Sequence, residues 1–147
     1  MNAVSADSLS QKKTPWHLWV VGVVALLWNA SGAYTIMMAQ AGRLPNLTEE
    51  EAAYYAAQPL WFVIVTDIAL ISAMAAAAAL LLRHRSAVIL FAVSLAAIFL
   101  TDAYDLVSGT AQMLTSGGAL IVTVFIFVIA VLELIYANTM KGRGVLQ

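Results

Sequence analysis

The sequence has no cysteine, which removes disulfides, thiolate-ligated zinc, iron–sulfur clusters and thiol nucleophiles together. Histidine occurs only twice, at His17 and His84, too few for a His-rich haem or zinc centre. Charge is scarce as well. Asp, Glu, Lys and Arg make up 10% of the 147 residues, against about 25% in a soluble globular domain. The net charge of -1 argues against a basic surface for nucleic acid. No Gly-rich phosphate loop, G-x-S-x-G elbow, H-E-x-x-H pair or dinucleotide fingerprint occurs, and Gly117-Gly118 reads as a loop pair. The chain is therefore expected not to be an enzyme, and to need neither cofactor nor metal. An intramembrane acid moving a proton on a lipid-like substrate is the one enzymatic reading that survives.

What remains is hydrocarbon. Hydrophobic residues make up 63% of the chain, arranged in long blocks rather than scattered as in a water-soluble core. Four blocks have the length of membrane spans: residues 16–39, 59–82, 86–108 and 118–137. Each holds near the roughly 20 residues needed to cross about 30 Å of lipid. Backbone amides cannot go unpaired there, so the spans are expected to be helices. The fold expected is all-α, an integral membrane four-helix bundle over residues 16–138. A disordered tail, 1–15, precedes it and a basic tail, 139–147, follows. The start has no basic n-region before a short apolar core, so the first span is expected to be uncleaved.

Basic residues orient the bundle. Lys12 and Lys13 precede span one, Arg83 and Arg85 divide spans two and three, and Lys141 and Arg143 follow span four, whereas only Arg43 falls on the other side. The positive-inside rule puts both termini in the cytoplasm. Trp16, Trp19, Tyr54, Tyr55, Trp61 and Tyr136 fall near span ends and read as interfacial anchors. In the first outer loop, Thr48 and Glu51 have the spacing of a capping box for a short helix over 49–57, lying at the membrane surface. Pro59 can then open span two at its first turn. Gly22, Ala25, Asn29 and Gly32 give span one a narrow face, and Ala69, Ser72, Ala73 and Ala75 to Ala79 mark span two as central, since small residues let helices approach closely in lipid.

Four acids fall in or beside the spans: Asp67, Asp102, Asp105 and Glu133. An acid at the centre of a lipid-exposed helix costs about 3 kcal/mol, so each needs a partner, water or a proton. Helical rise places Asp67 about 12 Å, Asp102 about 6 Å and Asn29 about 10 Å below the outer boundary. Asp102 and Asp105 lie three apart on one helix face, with Tyr104 at a neighbouring level. These positions suggest an outward-opening polar vestibule of Asn29, Asp67, Asp102, Asp105 and Tyr104. No basic residue lies in that half to neutralise it, so a proton, an ion or a cationic ligand would fit. The competing reading makes Asp67 interhelical glue and Asp102 and Asp105 the wet end of span three. Glu133 sits about 12 Å from the inner end, with His17 and His84 as candidate partners for a proton-sensitive contact.

Across TPWHLWVVGVVALLWNASGAY (14–34), TEEEAAYYAAQPLW, the Leu-rich end of span two with its basic turn, and on to the tail KGRGVLQ, the chain resembles a group of small four-span bacterial membrane proteins. Some carry the automatic label "sugar transporter". The resemblance implies a bacterial inner-membrane location, and it brings no functional residues with it. Two functions remain in view. One is transport or binding of a small polar or cationic solute, or a proton, at the acidic cluster. Four thin helices enclose little volume and no Gly or Pro breaks spans two to four, so a solute path is expected at a homo-oligomer interface. The other is a non-catalytic accessory or regulatory subunit of a larger membrane complex. The lipid bilayer is a partner under both readings.

Overall fold

The computed structural model describes residues 14–110 and 117–147, with side chains at all of these except 117–119. Most of the expected N-terminal tail, 1–15, lies outside the described residues. Five helices and no strand occur among those described: α1 (Trp16–Gln40), α2 (Glu49–Ala57), α3 (Leu60–Leu81), α4 (Ser86–Ser108) and α5 (Gly117–Gly142). All but α2 are long and apolar enough to cross a membrane. At 1.5 Å per residue, their 22 to 26 residues extend about 33–39 Å. Large apolar side chains cover their outer faces, among them Leu27, Ile64, Phe99 and Leu132. The reason is the same as for the helices themselves: in lipid an apolar side chain needs no cover, whereas a backbone amide needs a partner.

Local chemistry sets the ends. Pro15 and Pro59 are extended and stand directly before α1 and α3. Pro59 thus caps α3 from outside rather than entering its first turn. Three helices close with the same pair of reversed hydrogen bonds around a left-handed residue. After α1 it is Gly42 (φ 65°), after α5 it is Gly144 (φ 68°), and after α3 it is Arg83 (φ 59°). There the amide of His84 donates to Ala79 O and that of Arg83 to Leu80 O. Glycine adopts this conformation without strain, while a residue with a Cβ pays roughly 1–2 kcal/mol.

The chain's last residues offset that strain. α5 continues to Gly142, beyond the expected 137, because hydropathy falls at Asn138 and Thr139 while the helical bonds run on to Gly144. Gly117 already belongs to α5, not to a loop pair. The end of the basic tail packs back on the turn between α3 and α4. Gln147 N donates to Arg83 O at 2.7 Å, and Arg85 N donates to Gln147 O at 3.0 Å. The guanidinium Nε atoms of Arg83 and Arg85 donate to the carbonyls of Val145 and Leu146 at 3.2 and 3.3 Å. Val145 and Leu146 are buried and join a core with Leu18, Leu80, Phe91 and Met140.

α3 lies between α1 and α4, and α5 packs on α4. Ala69, Ser72, Ala73, Ala76 and Ala77 of α3 are buried, as are Ala87, Phe91, Ser94 and Ala97 of α4. α1 packs tightly on α3 at Gly22, where an added Cβ would meet Leu81 Cδ2 at 2.5 Å and its Cγ at 2.8 Å. α1 and α5 are spanned instead by long side chains. Trp28 meets Phe125 edge-on at 5.7 Å between centroids, and His17 Nδ1 shares a 2.6 Å hydrogen bond with the Tyr136 hydroxyl.

Candidate functional site

The half of the bundle next to α2 does not close. A cavity of about 410 Å³ lies among all five helices, reached by the later turns of α1 and α4 and the earlier turns of α3 and α5. Its wall carries Thr35 and Gln40 from α1, Thr66 from α3, Ser94 and Thr101 from α4, and Thr123 from α5. α2 covers one side with Tyr54 and Tyr55, and Gln58 directly after it. Asp102 and Asp105 both line it, and none of the described lining residues is Lys or Arg.

The helix that covers the cavity is fixed by its first turn. Thr48 Oγ1 accepts from Glu51 N at 3.2 Å while the Glu51 carboxylate accepts from Thr48 N at 2.9 Å, a reciprocal capping box. Thr48 Oγ1 also donates to that carboxylate at 2.9 Å, and the two bonds it accepts from Thr48, backbone first, hold the Glu51 carboxyl below its usual pKa of 4.5. With α2 so anchored, the Tyr54 hydroxyl donates to Asp105 Oδ2 at 2.7 Å. Burial first, then that bond and the negative charge of Asp105, push the Tyr54 pKa strongly upward, so it stays a donor at any physiological pH. Thr110 Oγ1 donates to the other Asp105 oxygen at 2.6 Å. Asp105 is therefore satisfied within the protein. Asp102, one turn deeper, has no hydrogen-bond partner among the described residues and faces the cavity. Three buried polar atoms on the same wall are also without one: Gln40 Nε2, Gln58 Oε1 and Thr66 Oγ1.

Of the residues expected to form a vestibule, Asn29, Asp102 and Asp105 do border one cavity. Asp67 and Tyr104 do not. The cavity-facing positions of α3 are Phe62, Thr66, Ala69, Leu70 and Ala73, a single 3.6-period face, and Asp67 is turned off it by one residue's rotation. One of its oxygens, Oδ1, is buried without a hydrogen bond. Tyr104 packs edge-on against Trp61 at 4.8 Å and, tilted, against Phe62 at 5.6 Å, and does not line the cavity.

Asn29 also reaches across to α5. Its Nδ2 donates to Glu133 Oε1 at 2.9 Å and to Ala25 O at 2.8 Å. The depths read from sequence, about 10 Å from one boundary and about 12 Å from the other, leave about 8 Å of a 30 Å core between them, within the combined reach of Asn and Glu side chains. The histidines hydrogen-bond elsewhere than to Glu133: His17 pairs with Tyr136 and His84 with Ser86. Tyr54 and Gln58 are not among the expected site residues, although their i, i+4 spacing sets a polar group in the last turns of α2 and another at the residue that ends it. Among the described residues no three His, Asp or Glu side chains converge as a metal centre would require.

The arrangement can hold a polar molecule by hydroxyls and amides, and a positive charge by Asp102, in a cavity that the rings of Trp28, Tyr54, Tyr55 and Phe62 also line. No family model matches the chain, and neither a curated protein nor a solved structure matches it.

Proposed function

We propose that the protein binds a small polar, positively charged solute in the cavity beneath α2, and that several copies together carry that solute across a bacterial inner membrane. In this reading both termini are cytoplasmic, and α2 lies on the outer face as a cover over the cavity. Glu49, Glu50 and Glu51 in its first turn then make an acidic rim that raises the local concentration of cations. The observation that carries the proposal is Asp102: an acid without a hydrogen-bond partner among the described residues, in a wall whose described residues supply hydroxyls, amides and aromatic faces but no Lys or Arg. A membrane helix tolerates such an acid only when a counter-charge, water or a proton compensates it.

Thermal unfolding of the purified protein against small primary and quaternary amines and neutral polyols tests this. Amines should raise the melting temperature of the wild type and lose that effect in Asp102→Asn, while polyols should act weakly and equally on both. Equal stabilisation of both proteins by amines would remove the charge from the account. No response to any solute, together with a stoichiometric partner on mild-detergent purification, would favour an accessory subunit.

A further inference from the structure

A second cavity, about 820 Å³, lies along the seam between α1 and α5. It belongs to the flank of the bundle, since Val20, Val24, Leu132 and Ile135 line it and are themselves half exposed or more. Its chemistry changes along its length. The middle is apolar, built from Val20, Val24 and Trp28 of α1 and Phe125, Ile129 and Leu132 of α5. The end beside the docked tail carries His17, Tyr136 and Arg143. Arg143 is within electrostatic range of the Tyr136 hydroxyl, and Lys141 stands two residues before it. Glu133 is the one acid among the described residues of the wall, and its carboxylate accepts a hydrogen bond from Asn29.

These features match an amphiphile of defined polarity. From Thr139 to Ile129 the groove rises about 15 Å, half of a roughly 30 Å hydrocarbon core, so its apolar part suits an acyl chain of one leaflet. Arginine at the headgroup level reads phosphate through a planar fork of donors. A second copy of this chain fits less well. In a two-fold dimer of equal orientation in the membrane, each groove would bring its Arg143 end against the partner's identical end at the same depth. We propose that the α1–α5 groove is a binding site for an anionic phospholipid, with one acyl chain along Val20, Val24 and Leu132 and the phosphate at Arg143 and His17. The proposal is independent of what the α2-end cavity binds.

Trp28 lies at the far end of this groove and can report on the chain. In the full-length protein with Trp16, Trp19 and Trp61 replaced by Phe, its fluorescence is measured in phosphatidylcholine vesicles containing brominated phosphatidylglycerol or brominated phosphatidylcholine. One basic side chain near the surface corresponds to about a fivefold preference. Quenching by the anionic lipid should therefore exceed that by the zwitterionic lipid by about that factor at equal mole fraction. Arg143→Gln should make the two equal, and Arg143→Lys should retain most of the preference. Val24→Phe narrows the groove without altering charge, so it should weaken quenching by both lipids even if Arg143→Gln disturbs the helix end. Equal quenching in the wild-type background, a preference that survives Arg143→Gln, or quenching unchanged by Val24→Phe would each overturn the proposal. So would quenching that fades as protein density rises, because a second copy would then occupy the groove.

Discussion

The two ends of the bundle are built from similar residues and packed to opposite purposes. At the tail end, small residues bring the backbones together and large ones fill what remains. Phe91, Leu18, Leu80, Met140 and Leu146 are the largest fully buried side chains, and the returning tail closes the core beneath them. At the α2 end the small residues border a cavity instead. α1 displays the contrast within one helix. A Cβ at Gly22 would strike Leu81, whereas one at Gly32 meets nothing within 4 Å. Small residues in a membrane helix are thus not by themselves a packing signal. They permit close approach where the neighbour is apolar and complementary, and leave space where the neighbours are Thr, Gln and Asp. In lipid the gain from close approach is van der Waals contact rather than the hydrophobic effect, so a polar wall gives up little by staying apart.

Substitutions at matched positions can break this contrast. The largest effect is expected at Phe91, where truncation to Ala should cost about 4 kcal/mol by leaving a hole in a filled core. Thr66→Val at the other end removes a hydroxyl that has no partner and should be close to neutral. Both are read from detergent-denaturation midpoints. The glycine pair comes next. Gly22→Ala should destabilise by about 2 kcal/mol through overpacking against Leu81, and Gly32→Ala should cost nothing or gain up to about 1 kcal/mol of helix propensity. Equal costs at the two glycines would erase the distinction between the ends.

Arg83 sharpens the picture of the closed end. Replacement by Ala keeps the strained left-handed backbone and loses the bond to Val145, whereas Gly loses the bond but relieves the strain. Arg83→Ala should therefore be the less stable variant by about 1 kcal/mol, measured by the same denaturation. The smallest effect belongs to α2. Because the folded pKa of Glu51 is lowered, the capping box supports α2 fully above the ordinary carboxyl value of 4.5. That support is lost as pH falls through the depressed one. Amide exchange in residues 49–57 should quicken below that range in the wild type. Thr48→Ala should show the faster exchange already at neutral pH.

Much of this architecture is legible in the sequence, and the boundary of what is legible has a physical cause. Span lengths follow from hydropathy and helical rise, and the expected and observed limits of the span at 86–108 coincide. Depth follows from the same rise, which is why Asn29, Asp102 and Asp105 meet one cavity. Azimuth does not. A helix apolar on all sides carries no stripe to say which face turns inward, so Asp67 and Tyr104 could be placed at the right level yet not on the right face. Long-range reach was lost for a related reason: Asn29 and Glu133 belong to different halves by Cα position but meet by side-chain length. The docked tail left the weakest trace of all. Its signals are Gly144, which ends α5, and two apolar residues, Val145 and Leu146, within a segment whose charges suggest solvent.

The absence of cysteine makes the decisive experiment simple. Thr66→Cys and Ala77→Cys give single thiols on the same helix, one on the cavity wall and one in the closed core. Their reaction with a small charged thiol reagent is followed in reconstituted membranes. The account predicts modification at 66, slowed by a bound amine, and none at 77. If 66 is as inert as 77, the α2 end holds no water-accessible polar cavity, and the central claim is contradicted.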